Sequence, residues 1–331
     1  MLAGMKRRTF VALPCGVALG RSMVASAQPA DRQFRIGYLS LGSPTLEAAR
    51  FDAFRAGLAA LGYVEGKNLV IETRWLDGRK YDQLGVLASE LVDLKVEVIV
   101  TYATPGVSAA SQATKTIPIV FATVGDAVAM GLASSLSRPG GNVTGTSYFL
   151  PELAAKRLEL LTEAVPGLSK AGVLFNATNR SAEPILAAAR VAAQSLKLDL
   201  SEIAVRDAAN LDEAIQAMTA KSVAAFVVLE DPMLIYNSPA IAQLALQQRL
   251  GSCGVSELAQ AGGLMAYGID FVDAWRRAAL FVNKILKGAR PADLPVEQAT
   301  KFKLELNLRT AGMLGITFPL PLLGRADVTI D

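Results

Sequence analysis

The residues able to bind a small molecule lie in short polar segments that follow apolar runs of the chain. Histidine is absent from all 331 residues, which removes every Ser-His-Asp triad, every Cys-His dyad and nearly all catalytic zinc and non-haem iron sites. Without a histidine to activate it, Cys253 is predicted to be a packing residue. No nucleotide-binding glycine motif follows the first apolar run. These observations predict a protein that binds a molecule without transforming it, with no cofactor and no metal.

The polar segments are expected to meet at one edge of a sheet. In open parallel sheets, ligands bind beyond the carboxyl ends of the strands, where loops and helix N-termini offer unpaired N–H groups. The candidate ligand-binding residues are Ser40, Gly42, Ser43, Tyr102, Thr104, Thr123, Asp126, Tyr148, Asn176, Glu230 and Tyr267. Hydroxyls and helix-end amides suit a carboxylate, the tyrosines suit an apolar or aromatic group, and Asp126 or Glu230 suits an ammonium. The pattern predicts a site for a small zwitterion.

Several of these residues have a structural alternative. Helix capping is the alternative role for Ser43, Thr45, Thr104, Asp126 and Asp231. Glu230 directly follows an apolar run and is expected at the rim of a sheet. Because Glu230 and Asp231 are adjacent in sequence, their side chains tend to point apart, which argues against general acid–base chemistry from this pair.

Apolar runs alternate with helical periods along the chain, which predicts β-α-β winding and a parallel sheet with helices on both faces. In the first half, strands are expected at 35–40, 68–75, 96–100, 117–121 and 142–146. The pattern restarts after a helix at 152–165, with strands at 171–176, 199–205, 224–229 and 263–267. The fold class is therefore α/β, with two doubly wound lobes joined by crossing hinge strands. The predicted lobes comprise 34–146 with about 268–300, and 147–267 with about 301–331.

The N-terminus has the features of an export signal. Three basic residues at 6–8 precede an apolar run at 10–19 and an Ala-Ser-Ala site at 25–27, which predicts a signal peptide cleaved near Ala27. The Arg7-Arg8-Thr9-Phe10 sequence resembles a twin-arginine signal, with the general secretory route as the alternative. Residues 28–331 contain no apolar run near 20 residues, so we expect a soluble protein in the periplasm.

Net charge argues against nucleic acid as a partner. The formal charge is +3, but the first 27 residues contain four basic residues and no acidic one. The remaining 304 residues carry 29 basic and 30 acidic residues and no basic cluster, so they lack the positive surface that binds phosphates.

Residues 28–331 also resemble a known family, the ABC transporter substrate-binding proteins that include tryptophan and other aromatic amino acid receptors, with the type I periplasmic-binding-protein fold. The matching segments, in chain order, are IGYLS with GSP at 36–40 and 42–44, GYVEGKN at 62–68, TP at 104–105, IPIVF at 117–121, RPGGNVTG at 138–145, KRLELL at 156–161, GGLMAYG at 262–268, and ILKG with PADLPV at 285–288 and 291–296. The sequence departs from the family at 250–255, where members usually carry an Ile-Pro-containing strand.

The resemblance implies a receptor that closes on a small solute between two lobes. It implies a closed form recognised by a membrane permease and its ATPase, so that the protein contacts the inner membrane only through the permease, and it implies a monomer. By family analogy, Ser40, Ser43, Thr104, Asp126 and Tyr267 contact the ligand. A sensory module that presents its closed form to a membrane receptor has the same fold and the same closure, and is the alternative.

Overall fold

The computed structural model describes residues 32–331, and Gln33–Asp331 form one compact unit. The predicted signal peptide lies outside the described residues. The strands are β1 Phe34–Ser40, β2 Leu69–Trp75, β3 Val98–Thr101, β4 Ile119–Val124, β5 Val143–Ser147, β6 Lys170–Asn176, β7 Asp199–Val205, β8 Ala225–Val228, β9 Gly251–Gly254, β10 Met265–Ile269, β11 Glu297–Gln298, β12 Phe302–Asn307 and β13 Val328–Ile330.

Helices connect most of the strands. They are α1 Ala48–Ala60, α2 Leu84–Asp93, α3 Ala103–Ala113, α4 Leu150–Ala164, α5 Ala182–Ser195, α6 Leu211–Ala220, α7 Pro232–Tyr236, α8 Ser238–Gln247, α9 Ser256–Gln260, α10 Phe271–Leu286, α11 Leu308–Leu314 and α12 Leu320–Leu323. Single 3₁₀ turns occur at Tyr81–Gln83, Ala208–Asn210 and Pro291–Asp293.

The strands form two sheets. The first has the order β11-β5-β4-β3-β1-β2 and the second the order β13-β12-β10-β9-β8-β6-β7. All pairs are parallel except β10 with β12, which run antiparallel. The α/β class with two doubly wound sheets was therefore predicted correctly from the sequence. We call the body around the first sheet the first lobe and the body around the second sheet the second lobe.

The core strands are built from continuous apolar sequence because both faces of each sheet are covered. Every residue of β3 and β4 is buried. Helix α2 buries Leu84, Leu87 and Leu91 at helical spacing. In β5, Gly145 has φ +153°, and a Cβ there would lie 2.0 Å from the carbonyl oxygen of Phe121. Only glycine allows β5 this close to β4.

The chain crosses between the sheets three times. It passes from β5 to α4, from β10 to α10, and from β11 to β12. After the second crossing, α10 packs on α1 of the first lobe, where Gly57 lies so close to Ala279 that a Cβ on the glycine would be 2.9 Å from the alanine Cβ. The last two strands, β12 and β13, then complete the second sheet.

Two strands extend further than the sequence pattern indicated. The strand predicted at 263–267 is β10, Met265–Ile269, so Tyr267 lies in the middle of the strand, paired with Leu304 of β12, and the expected loop beginning at Tyr267 is wrong. The antiparallel partner that prolongs β10 comes from residues 302–307, which no local pattern connects to it. Similarly, Thr123 is the fifth residue of β4, where a register shift between Phe121 and Val124 turns the end of the strand.

Candidate functional site

The carboxyl ends of both sheets face one cavity, here called the inner cavity. Its volume is about 30 Å³, within about 460 Å³ of space between atoms that includes open solvent. Its lining residues are Arg50, Tyr102, Ala103, Thr104, Thr123, Gly125, Tyr148, Leu150, Asn179, Ser181, Glu230, Asp231, Pro232, Ile235 and Phe271. They follow strands β3, β4 and β5 of the first lobe and β6, β8 and β10 of the second, apart from Arg50, which lies on α1. Small-molecule sites usually measure about 300–1,000 Å³, so the lobes must move apart for this cavity to admit a ligand.

One side of the inner cavity is aromatic and apolar. Tyr102, Tyr148, Leu150 and Phe271 are all more than 90% buried, and Ile235 of the second lobe is partly buried. Flat rings and branched side chains of this kind favour an apolar or aromatic portion of a ligand.

Arg50 supplies a buried cation to this cavity. Its guanidinium carbon lies 4.2 Å from the ring centroid of Phe271 and 5.2 Å from that of Trp275, and it forms an ion pair with Glu257 of the second lobe. Burial, the largest single influence, disfavours the charged form, but Glu257, Tyr236, Glu47 and Tyr102 together outweigh burial and raise the pKa of Arg50. Glu257 is the only hydrogen-bond acceptor that residues 32–331 offer this guanidinium. A guanidinium has five N–H donors, so several donors remain for a ligand.

Glu230 is neutralised by a neighbour from its own lobe. Arg157 of α4 donates to both oxygens of Glu230, at 2.5 and 2.8 Å, and both side chains are at most 5% exposed. The same guanidinium also donates to the carbonyl of Tyr267 at 2.7 Å and to that of Val228 at 3.2 Å. Glu230 therefore lines the cavity as one half of a buried ion pair.

Asp231 is held by donors from both lobes. It accepts hydrogen bonds from the side-chain amides of Asn176 at 3.1 Å and Asn179 at 2.9 Å, and from the Tyr81 hydroxyl at 3.2 Å. It also caps α7 by accepting from the backbone N–H of Met233 at 2.9 Å. Burial raises the pKa of Asp231, against the opposing effect of these donors.

Two mostly buried residues that line the inner cavity carry a hydroxyl with no hydrogen-bond partner in the described part of the chain. Thr123 is 3% exposed and Tyr148 is 7% exposed. Burial, assisted by the nearby charge of Glu230, raises the pKa of Tyr148 above its ordinary value. Each hydroxyl can donate to a bound molecule and accept from it.

A second cavity, here called the outer cavity, also lies beyond the carboxyl ends of the strands, on the side of β2 and β7. Its volume is about 820 Å³, and its lining includes Leu41–Ser43 and Leu76–Asp82 of the first lobe and Arg206–Ala208 and Met233 of the second. These segments follow β1, β2, β7 and β8. Because β2 and β7 are the strands furthest from the three crossings, the outer cavity is at the mouth of the cleft and the inner cavity is near the hinge.

The two lobes are in direct contact across the cleft. Arg50 forms an ion pair with Glu257, and Ser181 donates to Thr104 at 2.9 Å. Tyr81 donates to Asp231, and Tyr236 donates to Glu47 and shares a hydrogen bond with the hydroxyl of Tyr102. Each contact joins a residue of the first lobe to a residue of the second.

The predicted site residues divide into three groups. Those lining the inner cavity are Tyr102, Thr104, Thr123, Tyr148 and Glu230, and those lining the outer cavity are Gly42, Ser43 and Asn176. Ser40, Asp126 and Tyr267 line neither. The Ser40 hydroxyl accepts from the N–H of Gly42, Asp126 accepts from the N–H groups of Val128 and Ala129, and the Tyr267 ring stacks on Phe302 with centroids 6.1 Å apart.

Sequence reasoning missed the residues that reach the cavity from helices. Arg50 lies on α1 and Phe271 begins α10, whereas Glu47, just before α1, lines neither cavity but accepts a hydrogen bond from Tyr236 of the second lobe. The apolar spacing of α1 at 51, 54 and 58 is visible in the sequence, but it says nothing about a charged residue beside those apolar positions. One signal was available: a Glu47-x-x-Arg50 pair next to a predicted cleft loop. Among residues 32–331 no helix is long and apolar enough to cross a membrane.

Comparison with known proteins identifies the class. The family model for the ABC transporter substrate binding protein matches residues 41–330, so the chain belongs to that family. Members of this family are substrate-binding proteins and generally work outside the cytoplasm. The fold is that of the type I periplasmic binding proteins, and the protein is a solute-binding receptor of an ABC-type transporter, as the sequence predicted. The sensory alternative receives no support from these comparisons.

Three relatives give the class more detail. A tyrosine-binding protein of Clostridioides difficile (strain R20291) is 27% identical over 265 residues, which are 80% of this chain and 75% of that protein. A conserved domain protein of Vibrio cholerae is 30% identical with a TM-score of 0.84, and an ABC domain in complex with L-Trp from Streptococcus pneumonia is 27% identical with a TM-score of 0.83. Each structural comparison covers 90% of this chain and 100% of the other.

Proposed function

We propose that this receptor captures an aromatic amino acid in the inner cavity, by closure of the two lobes, and catalyses no reaction. The observation that carries the proposal is Arg50, a buried guanidinium that lines the cavity and has N–H donors left for a ligand. An arginine binds a carboxylate through two parallel hydrogen bonds. Its stacking on Phe271 and its ion pair with Glu257 hold it in place.

The rest of the amino acid fits the remaining lining. The side of the cavity formed by Tyr102, Tyr148 and Phe271 suits an aromatic ring. The ammonium group is proposed to lie near the carboxylates of Glu230 and Asp231, which line the cavity although each already has a partner in the protein. The relatives support this assignment, because one is described as a tyrosine-binding protein and another was solved with L-Trp.

The roles of the other predicted site residues follow from their positions. We propose that the hydroxyls of Thr123 and Tyr148, which have no partner within residues 32–331, contact the bound amino acid directly. Thr104 is already bonded to Ser181 across the cleft and is proposed to act in closure.

The decisive test separates the carboxylate from the rest of the ligand. The expected result is that L-tyrosine or L-tryptophan binds the mature chain in calorimetry and raises its melting temperature, because a ligand selective for the folded state stabilises it. Arg50→Gln should weaken L-tyrosine binding by about 10- to 100-fold, the loss expected for hydrogen bonds to a charged group. The same substitution also removes the ion pair with Glu257 across the cleft, so it should weaken binding of tyramine, which lacks the carboxylate, but by at least about tenfold less than it weakens binding of L-tyrosine.

Arg55→Gln is the matched control. Arg55 lies on the same helix, is about half exposed, and pairs with Asp52 and Glu65 on the surface. It should leave both ligands unaffected. If Arg50→Gln weakens L-tyrosine and tyramine equally, Arg50 does not bind the carboxylate. If no aromatic amino acid binds the unaltered chain, the proposed ligand class is wrong.

We further propose that the protein works as a monomer in the periplasm and delivers its solute to an ABC permease with its ATPase, touching the inner membrane only through that permease. The support is the signal-like pattern of residues 1–27 and the family to which the chain belongs. N-terminal sequencing of the protein recovered from a periplasmic extract should begin at Gln28. Recovery of the intact N-terminus from the cytoplasmic fraction alone would contradict this location.

A further inference from the structure

Tyr236 crosses from the second lobe into a polar receptor in the first. Its hydroxyl bonds both to the carboxylate of Glu47 and to the hydroxyl of Tyr102. Glu47 is fully buried and also accepts a hydrogen bond from Tyr38 at 3.1 Å, and Trp275 donates to the Tyr38 hydroxyl at 2.7 Å. The first lobe therefore supplies Tyr236 with partners that are themselves held in place.

The backbone of the first lobe leaves room for this tyrosine only because residue 42 is glycine. A Cβ on Gly42 would lie 2.5 Å from Cζ of Tyr236 and 2.8 Å from a carboxylate oxygen of Glu47. The backbone of Gly42 is outside the left-handed region, so alanine is conformationally allowed there. The closest approach, to Tyr236, arises from the opposite lobe and exists only while the lobes are together, whereas the approach to Glu47 lies within the first lobe.

The position of Tyr236 gives these contacts a consequence for the ligand. Tyr236 lines the outer cavity, whereas its partner Tyr102 and its neighbour Ile235 line the inner cavity. The bonded pair of tyrosines therefore lies between the space near the hinge and the mouth of the cleft.

We propose that Tyr236 is a positioning residue for solute retention: docked on Glu47 and Tyr102, it holds the closed lobes together and closes the inner cavity toward the mouth. This inference rests on the proposed function, because it assigns to Tyr236 control of the rate at which the bound amino acid leaves. Solute enters before the tyrosine docks, so the association rate depends little on it.

The test measures release kinetics with L-tyrosine or L-tryptophan by stopped flow. Tyr236→Phe removes only the hydroxyl, and Gly42→Ala displaces the ring. Each should raise the dissociation rate by about tenfold or more, the loss expected for a hydrogen bond to a buried carboxylate, and change the association rate by less than about twofold. The two substitutions combined should have less than the product of their separate effects, because both act on one contact.

Two controls make the same kinds of substitution at positions away from the contact between the lobes. Tyr63→Phe deletes a hydroxyl bonded to Asn283 at 3.2 Å within the first lobe, and Gly85→Ala adds a methyl group with no atom within 4 Å. Neither should change the dissociation rate. An equal rise in Tyr63→Phe, or an unchanged rate in Tyr236→Phe, would refute the assignment.

A ligand-free measurement separates this inference from the proposed function. Ser181 and Thr104 touch across the cleft at 2.9 Å, so a chain with Thr104→Cys and Ser181→Cys forms a disulfide only when the lobes close. Adding Tyr236→Phe should slow this cross-linking in the absence of any solute, and adding Tyr63→Phe should not. If aromatic amino acids fail to bind but cross-linking slows, the ligand class is wrong and the role of Tyr236 in closure stands. If cross-linking is unchanged, the role of Tyr236 is wrong.

Discussion

Replacing Glu230 by glutamine tests how the buried ion pair at the floor of the inner cavity is used. The substitution leaves the guanidinium of Arg157, which is 0% exposed, without a counter-ion. Two of its acceptors would remain, the carbonyls of Tyr267 and Val228. The glutamine side chain offers one acceptor oxygen in place of two carboxylate oxygens. Its NH₂ group, which is itself a donor, would face an N–H donor of Arg157.

The expected cost follows from that geometry. Removing one partner of a buried ion pair costs about 3–5 kcal/mol, because the remaining charge is uncompensated. Arg157→Met should cost a similar amount for the opposite reason, and Arg157→Met with Glu230→Gln should cost at least about 2 kcal/mol less than the sum of the two. Lys156→Met with Glu159→Gln is the matched control on the same helix, since this pair is exposed, and should give a coupling of about 0.5 kcal/mol or less.

Urea unfolding followed by circular dichroism measures all of these free energies. The reasoning is refuted if Glu230→Gln costs no more than Glu159→Gln. A loss of solute binding without a loss of stability would show instead that Glu230 serves the ligand directly and that its bond to Arg157 is incidental.

Three further predictions concern other buried residues, namely Gly145, Cys253 and Asp231. Gly145→Ala should destabilise by about 2–5 kcal/mol in urea unfolding, because its Cβ would meet the carbonyl of Phe121, whereas Gly141→Ala, with no atom within 4 Å, should cost under about 1 kcal/mol. Burial raises the pKa of Cys253 to about 12, so at pH 8 its thiolate is about a thousandfold scarcer than that of an ordinary cysteine. Peptide mapping after iodoacetamide treatment should find Cys253 modified only in urea, and rapid labelling of the native protein would contradict its burial. Asp231→Asn should lower the melting temperature, because an amide nitrogen cannot accept the hydrogen bonds that the carboxylate accepts, and an unchanged melt would contradict that network.

Much of the architecture was predictable because buried parallel strands have a local signature. The continuous apolar runs around β3, β4 and β8 and the helical spacing of Leu84, Leu87 and Leu91 depend on neighbours in sequence. The positions of the polar loops followed from the rule that parallel strands end at one edge. That rule located five of the residues lining the inner cavity.

The contacts that join the lobes were not predictable, because their partners are far apart in sequence. Arg50 and Glu257 are 207 residues apart, and Tyr236 and Glu47 are 189 apart. Asp126 shows the converse case, since its local capping of the N–H groups that follow it was one of the two roles that the sequence allowed. Helix caps and strands follow from interactions between residues close in sequence. The charged residues that line a binding site depend instead on how distant helices pack together.

The packing of α10 on α1 has a consequence for how the polypeptide is made. The face of α10 buries Trp275, Phe281 and Val282, and Trp275 reaches the hydroxyl of Tyr38 in the first strand. A nascent chain that has left the ribosome through β5 has five strands of its first sheet but none of these side chains. The first lobe therefore stays incompletely packed until synthesis has passed α10, and a protein truncated before that helix should be a target for proteases.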